Sequence, residues 1–269
     1  MKAAAIQMNC IPYDKKANFS IAAGLIERAC KEGAKLIALP ELFNTGYCCY
    51  EREWEYAEDL YGETAEFLWS FAHRYGCTLI GGFSKKAGTA GLCYNSLMLI
   101  SPHANRDSYS KMYLWGDEKN RFIKGRDITL WSFDGITVAP QICYEIGFPE
   151  NAKIAALKGA QVIVNCAAFN ALRLNVWDIA TRSRAIETGC YVIAANHSST
   201  EHDPKDIHYC AHSRIVDPKG HILAEATEDN DVITADIDLS KIYEQRDFLP
   251  YLRDIDTSLT AAGYGEIVK

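Results

Sequence analysis

The sequence has no apolar run approaching the 18 or more residues of a membrane-spanning helix, and its opening, MKAAAIQMNC, turns polar too early for a secretory leader. No membrane partner is expected, and the cytoplasm is the expected compartment. Positive charge is not in excess: 28 Lys and Arg against 35 Asp and Glu give a net charge of −7, with no long like-charge run. A nucleic acid, whose recognition rests on cationic contacts to phosphates, is therefore not an expected partner. No Pro/Gly/Ser-rich stretch, low-complexity segment or repeat of solenoid length divides the chain, so residues 1–269 read as one domain. There is no CxxC pair among the ten cysteines, which are scattered rather than spaced as in a disulfide scaffold, and nearly all read as buried thiols in a reducing compartment.

What is present is the raw material of a packed core, with 48% hydrophobic and 23% charged residues. Residues 2–8 read as a short strand. Asp14 then suits a helix cap, apolar residues follow at helical spacing as far as Gly33, and LIALP (36–40) reads as a buried strand. Further on, the spacing predicts a helix over 64–75, strands over 77–83, 92–100 and 135–143, a helix after Pro149, a strand over 161–166, a helix over 175–188 and a strand over 190–196. Segments 208–217 and 221–226 read as a hairpin turned at Pro218-Lys219-Gly220, followed by a strand over 232–237. Strands that are apolar on both faces and alternate with helices define an α/β fold.

Three segments place an ionisable or nucleophilic side chain just past such a strand, where α/β folds gather their sites. Glu41 follows Pro40 in PELFNTGY, Lys111 and Glu118 bracket an aromatic stretch in KMYLWGDEKNRF, and Cys143 opens CYEIGFPE. Each has a plain alternative: a loop carboxylate, a surface ammonium, a partner for Lys119 or Arg121, or one buried thiol among ten. The seven-residue separation of Lys111 and Glu118 would share a helix face, but Gly116 makes a loop equally acceptable. Tyr47, Trp115, Tyr144, Phe169, Arg173 and Trp177 lie where strand ends could shape a pocket.

Taken together, AAIQM, PELFNTGY, KMYLWGDEKNRF, CYEIGFPE, RSRAIE and SRIVDPKG run in order over essentially the whole chain, which resembles the nitrilase, or carbon–nitrogen hydrolase, superfamily. The resemblance implies a four-layer α-β-β-α sandwich and a homo-oligomer, a dimer or larger. It implies Glu41 as general base, Lys111 as catalytic lysine, Glu118 as a second glutamate orienting Lys111 or the substrate, and Cys143 as nucleophile. Tyr47, Trp115, Tyr144, Phe169 and Arg173 become the candidates for substrate contact, and Arg182, Arg184 and Glu187 read as ion pairing that braces a helix or a subunit contact.

The expected activity is hydrolysis of a non-peptide linear C–N bond in a small amide or N-carbamoyl compound, through a thioester. The alternatives are a nitrilase acting on C≡N with the same residues, or a non-catalytic binding or scaffold protein that keeps the fold. No cofactor is expected. His208, Cys210 and His212, with His197 and His202 upstream, supply zinc-ligand types. Same-face residues of a strand, however, stand roughly 6.6 Å apart, too far for three to close on one ion easily. Asn196 and His197 end a strand near the expected site without a defined role.

Overall fold

The computed structural model describes residues 1–267 apart from 49, 51 and 202–204, so Cys49 and His202 lie outside the described residues. In chain order the elements are β1 (Lys2–Gln7), α1 (Lys15–Lys31), β2 (Leu36–Ala38), α2 (Glu53–Tyr56), α3 (Glu63–Tyr75), β3 (Thr78–Lys86), β4 (Cys93–Ile100), β5 (Asp107–Ser110) and α4 (Glu118–Arg121). There follow β6 (Trp131–Phe133), β7 (Ile136–Ile142), α5 (Pro149–Leu157), β8 (Val162–Ala167), α6 (Leu174–Thr188) and β9 (Tyr191–Asn196). The chain closes with β10 (Arg214–Val216), β11 (Ile222–Glu225), β12 (Asp231–Asp236), α7 (Ser240–Phe248), α8 (Tyr251–Asp254) and α9 (Thr257–Ile267).

Among the described residues, twelve strands form two six-stranded sheets, ordered β12-β1-β2-β3-β4-β5 and β11-β10-β9-β8-β7-β6. Each has a parallel core of three strands, β1-β2-β3 or β7-β8-β9, edged by antiparallel partners. Side-chain alternation in β1 shows how the layers arise. Ala3 and Ala5 join the core between the sheets, while Ala4 and Ile6 face outward into a second core beneath α1 and α3. On the far side α5 and α6 cover the second sheet, α6 burying Trp177, Ala180, Thr181, Arg184, Ala185 and Thr188 along one helical face. The result is the α-β-β-α sandwich.

Local signals act as their chemistry requires. Asp14 caps α1 by accepting from the Ala17 N–H at 2.9 Å, and Pro149 occupies the first turn of α5, where its missing N–H costs nothing. One expectation fails. The strand begins only at Arg214, because Ala211 (φ 55°) and His212 (φ 50°) are left-handed and cannot join a ladder, so 208–213 is not the first arm of a hairpin. The short edge strands β5 and β6 and the helices after 240 have little apolar periodicity to read. Among the described residues no helix is long and apolar enough to cross a membrane.

Gly82 in β3 lies against the chain that carries Glu41. A Cβ there would meet Leu42 N at 2.2 Å and Glu41 Cα at 2.6 Å, both backbone atoms that cannot swing aside. Gly82→Ala is therefore expected to destabilise the fold by about 1–3 kcal/mol, the range for overpacking. Gly88→Ala, with nothing within 4 Å of its new methyl, should be close to neutral. Urea denaturation of the two variants checks this; equal midpoints would mean that the β3–Glu41 contact yields freely.

Candidate active site

The site is assembled from strand ends of both sheets. Glu41 stands three residues past β2, Lys111 directly past β5, Glu118 at the first position of α4, and Cys143 directly past β7 in a 3₁₀ turn over Cys143–Gly147. Lys111 Nζ donates to Glu41 Oε1 at 2.7 Å and to Glu118 Oε1 at 2.8 Å, and all three side chains have no solvent exposure. Glu41 also accepts from Asn95 Nδ2 (2.6 Å) and from the Ala168 N–H (2.9 Å), and Glu118 from the Tyr47 hydroxyl (2.7 Å) and the Trp115 N–H (2.8 Å). Lys111 and Glu118 are joined not along a helix face but by a loop that turns at Gly116 (φ 51°). Burial works against the Lys111 charge, but the Glu118 and Glu41 carboxylates outweigh it and hold the ammonium above its ordinary pKa.

Cys143 is 8% exposed and adopts φ 48°, a left-handed conformation that costs a non-glycine residue roughly 1–2 kcal/mol. Burial first, and then Glu41, raise its thiol pKa well above the ordinary value, while Lys111 acts in the opposite direction. Burial and the Glu41 charge thus favour the thiol over the thiolate.

Glu145 fixes this turn, a role that nothing in its sequence context signals. Its Oε2 accepts from the Ile142 N–H (2.8 Å), its Oε1 from the Met112 N–H (2.6 Å), and both oxygens are 2.8 Å from the Tyr109 hydroxyl. One buried carboxylate thus ties the residue before Cys143, on the second sheet, to the residue after Lys111, on the first. Desolvation pushes the Glu145 carboxyl up to about 7 against the pull of those hydrogen bonds.

Above Cys143 lies a cavity of about 210 Å³. Tyr47, Trp115, Tyr144, Phe169 and Arg173 all line it, as do Ala168, Asn170, Ile207 and Tyr209, which the sequence did not single out. The Arg173 guanidinium sits 4.1 Å from the Trp115 ring centroid, so its charge is held at the wall by an aromatic face. Trp177 does not line the cavity. It is fully buried behind Phe169, their rings 5.1 Å apart, and donates to the His212 carbonyl at 2.9 Å.

Asn196 and His197 support the site from behind. Asn196 Oδ1 accepts from the Phe169 N–H (2.8 Å) while its Nδ2 donates to the Ala211 carbonyl (2.7 Å), fixing the cavity wall to the irregular 208–213 segment. His197 places Nε2 at 2.6 Å from the Glu41 carbonyl and Nδ1 at 2.5 Å from Glu201 Oε2, which also accepts from the Cys10 N–H. Cys10, His197 and Glu201 have ligand atoms within 4.8 Å of one another. Both ring nitrogens of His197 are already engaged, so this group closes on itself as a brace under Glu41.

The zinc-ligand types around position 210 do not converge. His208 is exposed beside Asp206, Cys210 is buried against Asn196, and His212 turns to Glu225 at 2.7 Å. The left-handed residues that end the strand expectation also break the shared face. In the RSRAIE segment, Arg184 pairs with Glu187 at 2.5 Å and donates to the Ile146 carbonyl (3.0 Å), while Arg182 donates to the Gly220 carbonyl (3.0 Å), so these residues brace α6.

Residues 2–247 match the carbon–nitrogen hydrolase family, and the chain belongs to it. A nitrilase of Pyrococcus abyssi is 34% identical over 91% of this chain and 93% of its own, and an omega-amidase of Xenopus tropicalis 33% identical over 89% of each. An amidase variant from Nesterenkonia sp. AN1, with acrylamide joined by Michael addition at its active-site cysteine, superposes with a TM-score of 0.83 at 26% identity, covering 97% of this chain and 99% of its own. The chain is accordingly a carbon–nitrogen hydrolase enzyme.

The Glu145 environment predicts a pH signature. With its pKa raised from 4.5 to about 7, the folded state holds a proton that the unfolded state has lost between those values. That stabilisation is complete below about pH 4.5 and disappears as pH rises through about 7. Compared with Glu145→Gln, which cannot titrate, the wild type should therefore lose on the order of 2–3 kcal/mol between pH 4.5 and 8. Paired urea titrations across that range measure it, and a pH-independent difference would show that Glu145 titrates alike in both states.

Proposed function

We propose that this enzyme hydrolyses a small amide or N-carbamoyl compound through a thioester on Cys143, releasing ammonia or an amine and a carboxylic acid. The observation that carries the reading is the buried Glu41–Lys111–Glu118 row beside a cysteine at a small cavity. Because the thiol rests protonated, attack on a carbonyl needs a base at the moment the S–C bond forms. Glu41 takes that proton and returns it to the departing nitrogen. Lys111, already spending two N–H groups on the carboxylates, turns the third toward the developing oxyanion, together with the Tyr144 N–H. Glu118 orients Lys111, and an attacking water, deprotonated by Glu41, opens the thioester.

Arg173 supplies a full charge on the cavity wall, and Tyr47, Trp115, Tyr144 and Phe169 supply its aromatic surface. The amidase and omega-amidase relatives favour the amide reading; the Pyrococcus abyssi relative favours C≡N as the second. We read residues 1–269 as one hydrolase domain, with no nucleic-acid or membrane partner and a cytoplasmic location. Exposed Leu174, Val176 and Ile179 on α6 support a homo-oligomer.

A panel of small amides, N-carbamoyl amines, N-carbamoyl amino acids and nitriles, assayed for ammonia, separates the two reactions. Release from the amide or carbamoyl members and not from the nitriles is expected, and the reverse would replace the reading. Cys143→Ala should fold and show no turnover, and Lys111→Met should lower kcat at least roughly a hundredfold, the scale of one oxyanion donor. Glu41→Gln, offered an activated ester near pH 9, should accumulate one acyl group that disappears when Cys143 is also replaced. Turnover of that adduct at the wild-type rate would remove Glu41 as the deacylation base.

A further inference from the structure

Cys30 occupies the last turn of α1 and Cys77 the position just before β3, and their Sγ atoms lie 3.8 Å apart. Cys30 is the only described cysteine that is not buried, whereas Cys77 is 1% exposed. The pair belongs to the outer core beneath α1 and α3, with the first sheet between it and the inter-sheet core that contains Cys143. The backbone at Cys77 is held in place: Lys35 Nζ donates to the Tyr75 and Gly76 carbonyls, both at 3.2 Å.

The two thiols are chemically unequal. The hydrogen bond from Cys77 holds Cys30 below its ordinary pKa, and the Lys35 charge acts in the same direction. Cys77 is raised by that same hydrogen bond and by burial. Burial also raises Cys10, Cys93, Cys166 and Cys190. The most exposed of the described thiols is thus the one favoured as a thiolate, and it has a second thiol beside it as a resolving partner.

We propose that Cys30 and Cys77 are an oxidative modification site at which a hydroperoxide forms a reversible intramolecular disulfide. The Cys30 thiolate attacks one oxygen of hydrogen peroxide, the O–O bond breaks, and the departing oxygen leaves as hydroxide, which takes from solvent the proton that the Cys30 thiol had released and becomes water, giving Cys30 sulfenic acid. The Cys77 sulfur then attacks the Cys30 sulfur and displaces hydroxide, which takes the Cys77 proton and leaves as a second water. Two thiols lose two electrons and one peroxide gains them. The sulfurs must close from 3.8 Å to about 2.05 Å to form the bond. The bond staples α1 to the start of β3 across 47 positions of chain, enough to restrict the unfolded state.

The test treats the full-length protein with one equivalent of hydrogen peroxide and maps it by non-reducing peptide mass spectrometry, with thermal melts before and after treatment. A cross-linked peptide pair containing Cys30 and Cys77, a melting temperature raised by several degrees, and reversal of both by dithiothreitol are expected. Cys30→Ser and Cys77→Ala should each lack the cross-link and the shift, and in the latter Cys30 should stop at the sulfenic acid with one equivalent of peroxide and proceed to the sulfinic acid when a second equivalent is added. Unoxidised Cys30→Ser should keep its basal hydrolytic activity. Sulfinic Cys30 beside free Cys77 in the wild type, or a first disulfide to any other cysteine, would overturn the proposal.

Discussion

Lys111 carries a positive charge with no access to solvent, between two carboxylates that have none either. An isolated ion in such a place would cost several kcal/mol in lost hydration, and the mutual attraction of the three recovers it only if the remaining lone pairs are filled as well. Here they are. The Ala168 N–H and Asn95 serve Glu41, and the Trp115 N–H and Tyr47 serve Glu118. These donors come from β4, from the end of β8 and from two loops, so the row is satisfied only when both sheets are in register. A buried ion row is weak evidence for stability but places strict demands on geometry; the arrangement requires the sandwich to close in one way.

Two further features serve that requirement. Glu145 ties the turn of Cys143 to the strand end of Lys111, so the relative position of thiol and ammonium depends on one carboxylate rather than on loop packing. Gly82 removes the side chain that would otherwise push Glu41 away from β3. Both lie outside the row and touch none of its charged atoms, yet each acts on where those atoms stand. The His197–Glu201 pair does the same from the other side, through the Glu41 carbonyl.

The parallel core strands were legible because burial on both faces leaves continuous apolar runs, as in LIA and VIVNCA, and the helices between them because α1 and α3 have one apolar stripe each. Glu41, Lys111, Glu118 and Cys143 were legible through ordered motifs, and their positions beyond strand ends follow from the same pattern. Glu145 was not, since a glutamate two residues past a cysteine looks like any helix-start carboxylate until its donors, at 109, 112 and 142, are brought together in space. Tyr209 and Ile207 were missed for a related reason: they sit in the irregular 208–213 region or beside it, where left-handed residues erase periodicity. Cys10, His197 and Glu201 meet only because β1 and β9 lie side by side in different sheets, linked by the Met8–His197 bridge.

The described cysteines divide by environment in a way that bears on the proposed chemistry. Cys143 is buried beside a carboxylate, which favours its thiol form, and in the proposed mechanism it gives up its proton to Glu41 only as a substrate carbonyl is attacked. A cysteine kept as a thiol reacts slowly with small electrophiles, because thiolate, not thiol, is the reactive form. Cys30, partly exposed and held below its ordinary pKa by Cys77, has the opposite character. The same residue type is thus tuned in two directions within one chain, by desolvation next to a negative charge at the cavity and by a neighbouring thiol and Lys35 on the outer layer. On these two proposals, reactivity toward simple thiol reagents and the catalytic role fall on different sulfurs.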